Sequence, residues 1–169
     1  MKTQRIRRTK DFDPYLPALR AARVLAVDLE TTGLDPYASG IRLIQIAAEG
    51  LPVLLLDAPA FLPEPEAVPL LRELLCGPAV KVLQNAKFDL QFLMALGICP
   101  KPLFDTMLAA QLLYMPGTPR RANLETLAMH YLGETLDKSE QKGDWARETL
   151  TDAQLEYAAR DAEILLRLR

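Results

Sequence analysis

The chain has 169 residues, 20 Lys plus Arg against 22 Asp plus Glu, and a formal net charge of −2. That length suits one hydrophobic core, and with 50% hydrophobic and 25% charged residues the chain is neither disordered nor collagen-like. Its near-neutral balance excludes the overall basicity of a protein that coats duplex nucleic acid, though not a local basic groove.

Cys76 and Cys99 are too few for a disulfide framework, and their spacing fits no zinc pattern, so both are expected as reduced thiols in the core. The start is basic (Lys2, Arg5, Arg7, Arg8, Lys10), but Asp11, Asp13 and Pro14 follow where a signal peptide needs an apolar stretch. Apolar runs such as Val53 to Leu56 fall well short of the ~20 residues that span a bilayer. The expectation is a soluble, cytoplasmic protein with no membrane partner.

In chain order, residues 1–23 read as a basic lead-in carrying a short helix over Pro14 to Ala22. Val24 to Glu30 is a compact apolar run ending in two acids, read as a buried strand, and Thr31 to Pro36 is turn chemistry. Ile41 to Ala48 and Pro52 to Asp57 are strands joined by a hairpin at Glu49-Gly50. Pro59 to Pro69 is proline-dense and is expected as an irregular connection. Then follow a helix over Val68 to Leu75, a strand over Val80 to Leu83 and a helix over Phe88 to Leu96. Further helices are expected over Thr106 to Tyr114 with Asp105 as N-cap, Ala122 to Tyr131, and Thr151 to Leu168 with Thr151 as N-cap. The fold class is therefore α/β with a mixed sheet. The last helix reaches Arg169 without a capping residue behind it, which reads as a chain cut from something longer.

Three segments carry candidate chemistry. Asp28 and Glu30 stand two apart on a strand, so both point to one face. Like charges buried together are costly unless a cation or a proton neutralises them. Asn85, Lys87 and Asp89 lie just beyond a strand end, where ligands gather in open α/β sheets. Read alone, Asn85 and Asp89 equally suit the capping of the helix that follows. Tyr157 and Asp161 lie one turn apart on one helix face, although an Asp on a helix is far more often a surface residue. Together, four carboxylates from separate elements make an all-oxygen donor set of the kind Mg²⁺ and Mn²⁺ prefer. Two such ions ~3.5–4 Å apart activate a water and stabilise the leaving oxygen of a phosphodiester.

The segments Asp28-Leu29-Glu30-Thr31-Thr32-Gly33, Gln84-Asn85-Ala86-Lys87-Phe88-Asp89 and Tyr157-Ala158-Ala159-Arg160-Asp161 resemble, in order and spacing, the three motifs of the DEDD exonuclease superfamily. Tyr157 stands four before Asp161, as in the tyrosine subclass, whereas the histidine subclass would place His where Glu156 stands. His130 is expected at a helix surface or partly buried. Two branches fit. Leu103 to Leu108 and Asn123 to Leu132 resemble the proofreading 3′–5′ exonuclease domain of bacterial DNA polymerase I. Leu136 to Glu140 with Asp144-Trp145 resembles ribonuclease D.

The resemblance implies a ribonuclease H-like fold, a central mixed sheet flanked by helices, with residues 24–169 as the exonuclease domain. It implies two Mg²⁺ or Mn²⁺ ions held by Asp28, Glu30, Asp89 and Asp161, and a water oriented by Tyr157. It implies contacts to the 3′-terminal nucleotide from Thr31, Leu34 and Asn85. Lys87, Arg120, Arg121, Lys138 and Lys142 are the cations available to line a groove. The leading expectation is removal of nucleoside 5′-monophosphates from the 3′ end of single-stranded DNA, with a polymerase domain of the same parent chain as partner. RNA trimming of the ribonuclease D type is the second expectation, and an inert nucleic-acid-binding or structural module is a third of another class.

Overall fold

The computed structural model describes residues 2–113 and 122–169. The strands are β1 (Thr3–Ile6), β2 (Val24–Thr31), β3 (Ile41–Ala47), β4 (Val53–Asp57), β5 (Val80–Leu83) and β6 (Leu103–Asp105). The helices are α1 (Thr9–Phe12), α2 (Leu16–Ala21), α3 (Ala58–Phe61), α4 (Ala67–Leu75), α5 (Ala86–Ala95), α6 (Thr106–Leu112), α7 (Leu124–Leu127) and α8 (Asp152–Leu168). The strands form one sheet in the order β1-β4-β3-β2-β5-β6. β3 runs antiparallel to β2 and β4, and the remaining pairs are parallel, so the mixed α/β architecture stands as expected.

The sheet is buried on both faces. On one, Leu25, Val27, Leu29, Ile44 and Ile46 pack with α2 to α5 through Leu19, Phe61, Leu71 and Phe92. On the other, Ala26, Leu43, Ala47 and Val82 meet Ala158, Ala159, Ala162 and Leu165 of α8. The small residues on both sides let α8 lie close over the centre of the sheet. Each large apolar side chain so buried stabilises the fold by ~1.5–3 kcal/mol. At its start, α8 is fixed by a reciprocal cap: the Gln154 N–H donates to Thr151 Oγ1 and the Thr151 N–H to Gln154 Oε1.

Several sequence expectations are corrected. Residues 3–6, read as lead-in, are the edge strand β1, paired in parallel with β4; only Ile6 among them is buried, so this strand has no apolar run to announce it. Part of the proline-dense stretch is helical as α3, with Ala58 and Phe61 in the core. The expected helix over Ala122 to Tyr131 is instead the short α7 followed by a π-helical turn over Ala128–Leu132. Helix α6 is described to Leu112, and Tyr114 lies outside the described residues, as do Arg120 and Arg121. The cysteines are free but not core residues, Cys76 being half-buried and Cys99 exposed.

Two buried polar clusters brace the sheet. Asp57 at the end of β4 accepts hydrogen bonds from Arg42 Nη1 at 2.7 Å and Arg5 Nη2 at 2.6 Å. Arg42 also donates to the carbonyls of Arg147 and Glu148, tying β3 to the segment that leads into α8. Lys81 on β5 is fully buried, and its ammonium donates to the carbonyls of Gly77, Ala79 and Lys101.

Candidate active site

The carboxyl ends of β2 and β5 point the same way, because the two strands are parallel. Alternation along β2 puts Asp28 and Glu30 on the face of Ala26, beneath α8, while Leu25, Val27 and Leu29 enter the opposite core. A register shift at Glu30/Thr31 then ends regular pairing, and the chain turns away. Asp161 and Tyr157 descend onto this site from α8. Their helix is held over the sheet by Ala158 and Ala162.

Asp89 arrives from α5. The residue before that helix, Asn85, is left-handed with φ 53° and makes no side-chain cap; a short polar side chain tolerates that conformation better than most. The capping is done from elsewhere. Asp105 at the end of β6 accepts from the backbone N–H groups of Asn85, Ala86, Met107 and Leu108. One carboxylate thus closes the starts of both α5 and α6. Helix α5 begins two residues before the expected Phe88, which places Asp89 in its first turn and buries it. Asp89 is therefore not a surface cap.

The four carboxylates sense one another. Burial raises Asp28 well above the usual range, reinforced by the charges of Asp89, Glu30 and Asp161. Burial, with Asp161 and Asp89, pushes Glu30 up to about 9. Burial pushes Asp89 up to about 7. Asp161 is pushed up to about 6 by burial, held back by the Tyr157 hydroxyl and by the charge of Lys138. The Leu29 N–H draws both Asp28 and Asp89 back towards the usual range. Tyr157 is raised by burial and then by Asp161 and Glu30, which keeps its proton in place at neutral pH.

None of these four acids forms a salt bridge among the described residues. Asp89 is buried and Asp28, Glu30 and Asp161 are half-buried, and four crowded carboxylates without a bonded counter-ion are a donor set that suits a hard divalent cation. Among the described residues, no three His, Cys, Asp or Glu side chains are gathered tightly enough to hold one as they stand.

Two cavities flank Glu30. The larger, of about 520 Å³, is lined by Asp28, Glu30, Tyr157 and Asp161 together with Gln84, Asn85, Met107, Asn123, Glu125 and Lys138. The smaller, of about 360 Å³, lies between Thr31 to Leu34, Phe88 and the loop from Gln141 to Ala146, including Trp145. Thr31 is half-buried, and its hydroxyl donates to the Gly33 carbonyl at 2.6 Å. Leu34 is 83% exposed at the rim of the smaller cavity. Lys87 is exposed on α5 and lines neither cavity. Lys142 is exposed on the 133–151 loop, and His130 is exposed beside Tyr131.

Sequence reading missed Gln45. It is fully buried on β3 directly across from Asp28, and neither amide atom has a hydrogen-bond partner among the described residues. Its signal was available, as the one amide in the otherwise apolar run from Leu43 to Ala48.

A family described as 3′-5′ exonuclease matches residues 4–169. The chain is 39% identical over 144 residues to DNA polymerase I of Aquifex aeolicus, covering 85% of this chain and 22% of that protein. It is 37% identical over 152 residues to ribonuclease D of Xanthomonas oryzae pv. oryzae, covering 89% of this chain and 39% of that one. It spans less than half the length of either relative. Among solved structures, ribonuclease D of Escherichia coli, described as an exoribonuclease involved in structured RNA processing, superposes with a TM-score of 0.85 at 32% identity. That match covers 99% of this chain and 43% of the other. Brucella melitensis NrnC with bound Mg²⁺ superposes with a TM-score of 0.78 at 28% identity, covering 99% and 78%.

Proposed function

Since the chain belongs to the 3′–5′ exonuclease family, we propose that it hydrolyses the terminal phosphodiester of a single strand from the 3′ end. The products are nucleoside 5′-monophosphates. The observation that carries this reading is a set of carboxylates without bonded counter-ions: Asp28, Glu30 and Asp161 line one cavity, Asp89 is near enough for its charge to raise Asp28 and Glu30, and Tyr157 stands a helical turn from Asp161.

Asp28, Glu30, Asp89 and Asp161 would hold divalent cations, two in the full site. Bound there, such ions supply Lewis-acid activation of a water and charge stabilisation of the leaving oxygen. The protein's own work is positional. Tyr157 keeps its proton, so it orients the attacking water through its hydroxyl rather than serving as a strong base. Leu34 offers an apolar edge to the terminal base. Thr31 and Asn85 stand on either side of Glu30 as polar contacts for the terminal nucleotide. Lys87 is left as a solvent-facing charge that strengthens the field for a polyanion without touching the terminal residue.

RNA is the favoured substrate, and this reverses the order expected from sequence. Ribonuclease D proteins recur among the relatives, and the ribonuclease D fold superposes over nearly the whole chain. The 39% identity to a DNA polymerase I supports DNA proofreading as the second reading. Digestion of matched 5′-labelled RNA and DNA single strands with Mg²⁺ or Mn²⁺ separates them. A one-nucleotide ladder that descends faster on RNA is expected. Faster cutting of DNA favours proofreading, and no shortening of either strand defeats the nuclease reading.

A further inference from the structure

The larger cavity presents a charge problem. Its wall carries Asp28, Glu30, Glu125, Asp137 and Asp161, and among the described residues that line it Lys138 is the one cation. A nucleic-acid strand entering this space brings more negative charge to a wall that is already acidic. Divalent ions held by Asp28, Glu30 and Asp161 would offset those carboxylates but leave Glu125 and Asp137 on the same wall unchanged.

Lys138 is placed to meet that need. It lies on the loop that leads towards α8, while Glu125 is in the first turn of α7. Lys138 Nζ donates to Glu125 Oε2 at 2.8 Å, and both side chains remain about one-third to two-fifths exposed, at 34% and 43%. A solvent-facing pair of this kind is weak, so exchanging one carboxylate oxygen for a phosphate oxygen costs little. The same ammonium is near enough to Asp161 for its charge to be felt there. Its reach therefore includes both the mouth of the cavity and the edge of the carboxylate cluster. The other described lysines raised as groove candidates do not share this position: Lys87 and Lys142 are exposed and do not line the cavity.

We propose that Lys138 is a substrate-binding cation whose resting partner is Glu125, and that it leaves Glu125 to bond a non-bridging phosphate oxygen of the 3′-terminal phosphodiester. This deepens the nuclease reading and rests on it. Glu125 then acts as a competitor for the substrate: it holds the lysine side chain in place before binding and must give it up on binding. Neutralising Glu125 should therefore help binding, which a purely structural salt bridge does not predict.

The test is equilibrium binding of a fluorescent single-stranded oligonucleotide by anisotropy, across a range of salt and with chelator present so that the strand stays intact. Steady-state cleavage with Mn²⁺ is measured in parallel. Lys138→Gln should weaken binding about tenfold, as loss of a charged hydrogen bond does, and should reduce the salt slope by about 0.7, one phosphate contact on a single strand. Lys138→Arg should restore most of both. Glu125→Gln should tighten binding and lower KM, and that gain should vanish when Lys138→Gln is added. An unchanged salt slope in Lys138→Gln overturns the proposal, as does a Glu125→Gln gain that persists without the lysine. If Lys138→Gln proves unstable on melting, the Glu125→Gln and Lys138→Arg variants still decide it. A parent protein that neither binds nor shortens any strand defeats the nuclease reading itself, which is a distinct outcome.

Discussion

The carboxylate of Asp105 accepts the backbone N–H of Ala86 at 2.9 Å, so the end of β6 caps a helix that is not its own. The same side chain accepts the Met107 N–H at 2.9 Å at the start of α6. Because α5 carries Asp89 in its first turn, this one acid sets where a candidate ligand stands. Asp105→Ala is expected to destabilise the protein by ~1–2 kcal/mol for each helix start it leaves open. Asp105→Asn, which keeps an acceptor oxygen, should cost about half as much. Urea melts of the three proteins check the order, and equal stabilities would show that the shared cap is idle.

Metal-free stability should fall as pH rises. Glu30 is pushed up to about 9, Asp89 to about 7 and Asp161 to about 6, all above the ~4 of an unfolded carboxyl. Below pH ~4 these groups are protonated in both states and cost nothing. Between that value and about 9 the folded state holds more protons than the unfolded chain, so stability declines through this window and the full penalty stands above it. Thermal melts in chelator between about pH 5.5 and 8.5 should show a falling Tm. A Tm that climbs over the same range contradicts the buried-acid account.

Asp28→Asn removes one charge from the repelling set. In chelator its Tm should equal or exceed that of the parent, and its dependence on pH should be shallower. Turnover should drop by ~1000-fold or more, given the several kcal/mol that metal-assisted charge stabilisation supplies. A large loss of metal-free stability would make Asp28 a structural residue instead.

Where that repulsion is relieved, stability should return. Mn²⁺ binding only the folded state stabilises by mass action, which at 100 times its Kd is ~2.7 kcal/mol. For a chain of this size that corresponds to a Tm rise of roughly 5–10 °C. The rise should shrink sharply in Asp28→Asn.

The buried pair of Arg42 and Asp57 should behave differently from the site. Asp57→Ala leaves Arg42 buried and removes the acceptor of Arg5 as well, at an expected cost of ~3–5 kcal/mol. Replacing Arg42 and Asp57 together by Met and Leu should recover much of it. Metal affinity, measured by titration on the folded protein, should be unaffected in the double variant, because neither side chain lines the carboxylate cavity.

How much was legible in the sequence follows from what each residue's role depends on. Asp28 and Glu30 drew attention because two acids on one face end an otherwise apolar strand, whereas Asp161 gained meaning only in combination with them and Asp89. The α8 boundary was readable because Thr151 and Gln154 form the cap within four residues of chain. The edge strand β1 was not, since Thr3–Ile6 is held by hydrogen bonds to β4, which is distant in sequence. β6 is only three residues long and exists because β5 offers it an open edge. Asp105 could be read as the cap of α6, but its second grip, on the start of α5, needed β5 and β6 to be neighbours. Nothing in the short run Val80 to Leu83 announces that Lys81 is buried. Its burial depends on three carbonyls from two loops.

The most direct measurement is anomalous scattering from crystals grown with Mn²⁺. Two peaks are predicted, bounded by the carboxylates of Asp28, Glu30, Asp89 and Asp161 and close to the Tyr157 hydroxyl. Absence of manganese from these side chains at saturating concentration, or its capture elsewhere with the four acids left facing solvent, would contradict the account.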